Sequence, residues 1–128
     1  MKKAAECLIM VVDDDEQSRS FMMSILDRLG FQGLVADSGA SALDLLISKK
    51  PDLMLVDGMM PNMDGFELIQ KIRQISGFEN TPIVMTTALD DAKHIKEAIS
   101  TGANAYVVKP INVHRLKEKI NELLEYES

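Results

Sequence analysis

The 128-residue sequence predicts a doubly wound α/β domain, and three observations carry that reading. Short unbroken apolar runs (CLIMVV at 7–12, LMLV at 53–56, PIVMT at 82–86, AYVV at 105–108) lack the alternation of a half-exposed strand, so each reads as a strand covered on both faces. Between them lie segments with apolar residues at helical spacing. The connections are short, and strands that alternate with helices in this way form a parallel sheet with helices on both sides.

Residues 7–12 form the first strand, and Asp13, Asp14, Asp15 and Glu16 follow without a break. Asp15 and Glu16 suit a helix start, where the macrodipole favours negative charge; that reading serves Asp13 and Asp14 less well, because they directly end a buried strand. Met22, Ile25, Leu26 and Leu29 then recur at helical spacing, flanked by Phe21 and Met23, and Gly30 stands where the helix stops. Residues 31–36 are half polar and interrupted by Gly33, a weaker strand nearer a sheet edge. Ala42, Leu43, Leu46 and Ile47 mark a second helix, closed before Pro51.

The third strand ends on Asp57 and runs into the turn formers Gly58, Pro61, Asn62, Asp64 and Gly65. Its carboxylate is therefore expected at the carboxyl end of a buried strand, where open α/β sheets bind ligands. Asp64 followed by Glu67 is close to a capping box, opening a helix that turns Phe66, Leu68, Ile69, Ile72 and Ile75 inward and ends at Gly77. After the fourth strand, Thr86, Thr87 and Ala88 lead out. Asp90 or Asp91 caps a helix containing Ile95, Ala98 and Ile99, which stops at Gly102. The fifth strand, 105–108, ends at Lys109 and Pro110. Asn112 caps a last helix with Leu116, Ile120, Leu123 and Leu124 as its stripe. Residues 1–128 are expected to form one domain without repeats or linkers.

A formal net charge of −6 argues against direct binding to nucleic acid or anionic membrane, since both attract a positive field. The single cysteine, Cys7, allows no internal disulfide and suits a reducing cytoplasm. The apolar stretch at 7–12 is too short for a membrane span, so the chain is expected in the cytosol.

Parallel strands end on one side, so Asp13, Asp14, Asp57, Thr87 and Lys109 are expected to meet on one rim. Carboxylates this close call for a cation. Oxygen-only ligands in an acidic cup suit Mg²⁺ better than Zn²⁺, for which no Cys/His set exists, and His94 and His114 sit on separate helices in surface roles. The segments VVDDD at 11–15, LVDGMMPNMDG at 55–65, PIVMTTA at 82–88 and AYVVKP at 105–110 stand in the order and spacing of a known family. Over nearly its whole length the chain resembles the receiver domains of two-component response regulators, most of all single-domain receivers of the chemotaxis type.

The resemblance implies a flavodoxin-like (βα)5 fold with strand order 2-1-3-4-5. It implies that Asp57 accepts a phosphoryl group from a histidine kinase or phosphotransfer protein. Asp14 and Asp57 then bind Mg²⁺, with Asp13 acting through water and the backbone carbonyl of Met59 completing the protein ligands. Thr87 bonds the phosphoryl oxygen, Lys109 pairs with it, and Tyr106 is the aromatic switch. The family's tight turn makes a cis Lys109–Pro110 bond expected. Output is expected through the face of the fourth helix, fifth strand and fifth helix (residues 91–124), which binds a downstream protein or a second copy. Such a carboxylate is a competent acceptor once the phosphoryl charge is neutralised and the group held in line.

Two departures from the family follow. Gly58 stands where a larger apolar residue is usual, and glycine loosens the backbone beside the acceptor. Met59 and Leu89 stand where rapid receivers place polar side chains that orient an attacking water; neither can do so, which implies a long-lived phosphoryl mark. The rival readings fit less well. A haloacid-dehalogenase-type phosphatase needs an acid two residues after its nucleophile, where Met59 stands, and a cap domain. A nucleotide-binding module needs a P-loop or G-x-G-x-x-G turn, and neither is present. A non-phosphorylated interaction scaffold gives no reason for every chemical position to be filled. The chain is thus expected to be a phosphorelay acceptor with slow self-dephosphorylation rather than an enzyme.

Overall fold

A run this apolar is stable only where both faces are covered, and the central strands of this sheet are built on such runs. The computed structural model, which describes residues 2–127, contains β1 (Leu8–Val12), β2 (Gln32–Ala36), β3 (Leu53–Asp57), β4 (Ile83–Thr87) and β5 (Ala105–Val108). All pair in parallel in the order β2-β1-β3-β4-β5. Between them run α1 (Glu16–Arg28), α2 (Gly39–Leu45), α3 (Gly65–Arg73), α4 (Ala92–Thr101) and α5 (Val113–Leu123). A short 3-10 turn over Ala4–Glu6, which the sequence did not suggest, precedes β1.

Alternate residues of each strand feed opposite layers. Ile9, Val11, Leu53, Leu55, Val84 and Val107 pack with Met22, Ile25 and Leu26 of α1 and with Leu116 and Ile120 of α5. Met10, Val12, Met54, Val56, Ile83 and Met85 face the other way, onto Ala42 of α2, Leu68, Ile69 and Ile72 of α3, and Ala98 of α4. Each large aliphatic side chain buried this way contributes about 1.5–3 kcal/mol, so these two layers fix the strand ends and whatever stands on them.

Helix starts follow the sequence signals closely, whereas α3 stops at Arg73, four residues short of the expected Gly77, and leaves Ile75 beyond its end. Asp15, Asp64, Asp91 and Asn112 are N-caps, accepting from the backbone N–H groups of Ser18, Glu67, His94 and Arg115 at 2.8–3.0 Å. Ser38 and Ser41 form a reciprocal cap for α2. Ile47 corrects the expected stripe of the second helix. After Leu45 the chain tightens, with the Ile47 N–H reaching the Asp44 carbonyl at 3.2 Å, and this rotates Ile47 out to 84% exposure. Phe21, expected beside the core, is likewise 45% exposed. The chain ends meet at the amino ends of the strands: Ala4 N–H donates to the Glu127 carbonyl at 3.0 Å and Glu127 N–H to the Lys2 carbonyl at 2.8 Å. Tyr126 packs edge-on against Phe31, with ring centroids 4.8 Å apart.

Gly65 opens α3 in the tightest place of the fold. A Cβ there would lie 2.3 Å from the Asp57 carbonyl oxygen and 2.8 Å from Gly58 Cα, so only glycine lets the helix start against the end of β3. Gly65→Ala is expected to cost about 3 kcal/mol, lowering the urea midpoint by about 1–2 M. An unchanged midpoint in urea denaturation would show that the α3 entry relaxes freely.

Candidate functional site

The register of the sheet assembles the site. Asp57 pairs with Thr86 across β3 and β4, and Thr87 pairs with Val108 across β4 and β5, which brings Lys109 to the same rim as the acids ending β1. One carboxylate oxygen from each of Asp13, Asp14 and Asp57 lies within 4.8 Å of the others. Asp13 and Asp57 are buried, whereas Asp14 is exposed. Lys109 Nζ donates to Asp13 Oδ2 at 2.8 Å and stands 3.6 Å from Asp57 Oδ2. The Lys109–Pro110 bond is cis.

Asp13 is fixed at every polar atom. Its N–H donates to the Ala36 carbonyl at 3.1 Å and its carbonyl accepts from Arg19 Nη1 at 2.9 Å. Its Oδ1 accepts from the Asp15 N–H at 2.9 Å and its Oδ2 from Lys109. Arg19 was not read from the sequence, because a guanidinium one turn into α1 reveals its target only once the strand end is in place. Asp57 Oδ1 accepts the N–H of Met59 at 3.2 Å, and the Met59 side chain is 57% exposed above the loop.

Gly58, expected to loosen this loop, is hydrogen-bonded through both its backbone groups. Its N–H donates to the Thr86 carbonyl and its carbonyl accepts from Gly65 N–H, both at 3.0 Å. A Cβ would approach Thr87 Cβ and Met85 Sδ to 3.1 Å, so the missing side chain gives Thr87 its place against β3. Thr87 is fully buried, and its Oγ1 accepts from Leu89 N–H at 3.3 Å. The Leu89 carbonyl in turn accepts from the buried Tyr106 hydroxyl, and the Leu89 side chain packs against the α3–α4 layer. Thr87 and Tyr106 are thereby linked through the two backbone groups of one residue. A cleft of about 320 Å³ opens beside Lys109, lined by Ser18, Phe21, Met22 and Ile111 among others. The two histidines stand away from the acids: His94 bonds Asp91 through Nδ1 at 2.6 Å, and His114 is exposed.

Electrostatics single out Asp57. Burial pushes its carboxyl up to about 6, Lys109 opposes the rise, and the neighbouring Asp13 charge adds to it. Burial works to lower the Lys109 ammonium, but the hydrogen bond to Asp13 and the charges of Asp57 and Asp13 outweigh it and hold the group above its ordinary value. A carboxyl with a raised folded-state value stabilises the fold below 3.8, and that contribution is lost as pH rises through about 6. In chelator, wild type is therefore expected to lose up to roughly 3 kcal/mol relative to Asp57→Asn between pH 4 and 7. Parallel pH profiles of urea unfolding for the two proteins would contradict this.

The donor set is all oxygen, with two buried acids and one exposed, and it fits a small hard divalent cation. Among the described residues no helix is long and apolar enough to cross a membrane.

Comparison with known proteins places these features in context. A family model described as the response regulator receiver domain matches residues 9–121. The chemotaxis protein CheY of Pseudomonas aeruginosa is 37% identical over 118 residues, spanning 91% of this chain and 95% of that protein. A sensor histidine kinase, TmoS of Ectopseudomonas mendocina, is 34% identical over 91% of this chain but only 12% of its own length. Among solved structures, chemotaxis protein CheY4 of Vibrio cholerae superposes with a TM-score of 0.88 at 29% identity, covering 92% of this chain and 98% of that one.

Proposed function

The chain belongs to the response regulator receiver domain family, and from that membership we propose that it is a phosphoacceptor of two-component signalling, with residues 1–128 acting as one receiver domain. Asp57 takes a phosphoryl group from the phosphohistidine of a kinase or phosphotransfer protein. The P–N bond breaks as a P–O bond to the Asp57 carboxylate forms, and the imidazole leaves with a proton. The observation that carries this reading is the buried Asp57 carboxylate on the sheet rim, 3.6 Å from the Lys109 ammonium and beside two further acids.

Asp14 and Asp57, with the Met59 carbonyl, would hold Mg²⁺. Asp13 contributes through water, consistent with both its carboxylate oxygens already accepting hydrogen bonds. When bound, the cation neutralises the charge on the transferring group. Lys109 pairs with a phosphoryl oxygen. Thr87 turns its hydroxyl to another, giving up the Leu89 N–H, and Leu89 in turn releases Tyr106. The residues 91–124 face changes with it and engages a downstream protein or a second copy. The chain works in the cytoplasm as a relay, with slow self-dephosphorylation as its only turnover. The cleft beside Lys109 and the exposed Phe21 support the approach of a macromolecular donor.

Incubation with acetyl phosphate and Mg²⁺, followed by intact-mass measurement, tests this. A gain of one phosphoryl group at residue 57, absent in excess chelator, is expected. Continuous phosphate release without a labelled protein would instead support a phosphatase.

The label is expected to persist. Met59 offers no hydrogen bond to a water in line with the Asp57 phosphoryl bond, and Leu89, half-buried, offers none either. Met59→Asn should speed decay about tenfold, the equivalent of about 1.4 kcal/mol, and Leu89→Glu by less because that side chain is partly buried against the core. Decay followed after donor removal decides the matter; if neither variant nor the pair is faster, water positioning does not set the lifetime.

A further inference from the structure

Arg73 ends α3 with a guanidinium bonded to three separate stretches of chain and, among the described residues, to no carboxylate. Nε and Nη2 donate to the Gly102 carbonyl at 3.1 and 2.7 Å, Nη1 to the carbonyls of Phe78 and Thr81 at 3.0 and 2.6 Å, and Nη2 also to Asn104 Oδ1 at 2.9 Å. That uses every N–H an arginine has. Gly102 is the C-cap of α4, where the helix dipole presents negative charge and a guanidinium is favoured. Asn104 extends the clamp into the sheet: its Oδ1 accepts from Ile83 N–H and its own N–H donates to the Ile83 carbonyl, each at 2.8 Å. Gly102 is required twice over, by its φ of +119° and because a Cβ would come within 3.0 Å of Arg73 Cγ.

The other end of α4 has no such polar clamp among the described residues; Ile95 packs on the core and the His94 ring lies 6.4 Å from that of Phe66. Ala98 is the buried residue of this helix, and it lies toward the clamped end. Toward the amino end stand the exposed cap Asp91, its bond to His94, half-buried Ile95, and the Tyr106 hydroxyl on the Leu89 carbonyl just before the helix. Helix α4 is thus pinned at its carboxyl end and joined at its amino end to the loop that follows Thr87.

We propose that Arg73 is the fixed pivot of α4. When Thr87 and Tyr106 change partners, the helix rotates about the Arg73–Gly102–Asn104 clamp, so the altered surface is residues 88–97 and the Ile99 end stays in place. Arg73 is a positioning residue here, acting through α4 and not on the acceptor. Lysine cannot replace it, because three donors on one nitrogen cannot span the Gly102, Phe78, Thr81 and Asn104 acceptors. The inference rests on the switching reading above.

The test is amide hydrogen exchange on the full chain, with and without beryllium trifluoride and Mg²⁺ as the phosphoryl probe, in wild type, Arg73→Met, Arg73→Lys and Ile72→Val. Ile72 is buried in the same helix, so Ile72→Val lowers stability without touching the clamp. In wild type and Ile72→Val the probe should alter exchange over 88–97 and leave 98–104 within twofold. In both Arg73 variants the response should spread through 104, with exchange at 98–103 about tenfold faster. A wild-type response already uniform along α4, an Arg73→Met pattern like wild type, or an Ile72→Val pattern like Arg73→Met each overturns the pivot. Phosphoryl labelling of Asp57 with no exchange change anywhere in 88–104 overturns the switching reading, and the pivot with it.

Discussion

Asp57→Ala is expected to accept no phosphoryl group from acetyl phosphate and Mg²⁺, and in chelator at neutral pH to be more stable than wild type. The first outcome follows because no neighbour can take over. Both Asp13 carboxylate oxygens already accept hydrogen bonds, the Thr87 hydroxyl is fully buried, and exposed Asp14 makes no ion pair with Lys109 among the described residues. The second follows from the surroundings of the Asp57 carboxyl. A carboxyl raised to about 6 by burial and by Asp13 is ionised at neutral pH against the preference of the fold. Removing it relieves a cost of up to roughly 3 kcal/mol, set against the packing that the side chain takes with it. Intact mass reads the first effect and urea unfolding the second. Residual labelling at full rate would move the acceptor elsewhere, and a lower urea midpoint would mean that the packing of Asp57 outweighs its charge.

Lys109→Met is expected to slow labelling of Asp57 by about 10²–10³-fold, the size of effect seen when a single charge-stabilising donor is removed from a reacting oxygen. The ammonium is the one cation within ion-pair distance of Asp13 and Asp57 among the described residues, at 2.8 and 3.6 Å. Divalent cation affinity should move the other way. With the ammonium gone, the acids present an unscreened negative field and bind a divalent ion several-fold more tightly. A metal titration beside the labelling rate separates this from simple misfolding, which would weaken both. If labelling falls less than about threefold, Lys109 balances charge in the resting protein and does little in the transfer.

Most of the fold was legible because its signals are local. Asp15, Asp64, Asp91 and Asn112 cap helices through bonds three residues away, and the apolar runs at 9–12, 53–56 and 83–85 are buried as continuous runs imply. The rim of acids, Thr87 and Lys109 followed from strand direction alone. What was hidden depends on where long side chains end, or on space that only the assembled fold defines. Nothing near Arg19 or Arg73 in sequence points to the carbonyls they bind, the Asp13 carbonyl in one case and Gly102 in the other. Ile47 fits a helical stripe until the helix ends two residues before it. Gly58 reads as freedom in sequence, yet in the fold it is a gap cut to the width of Thr87.

The pairing of Lys3 with Glu127 beside β1 brings the two ends of the chain together on the side of the sheet away from Asp57. A few flexible residues joining 127 to 2 would close the chain into a ring without crossing a strand. A circular permutant cut at the exposed stretch 47–50 would keep every strand beside its present neighbours. A reporter domain attached at either end would hang below the sheet and leave the rim open to a donor. The molecule can therefore be immobilised by its ends and still be interrogated, and changes at Asp57 would reach the anchor only through the body of the sheet and its helices.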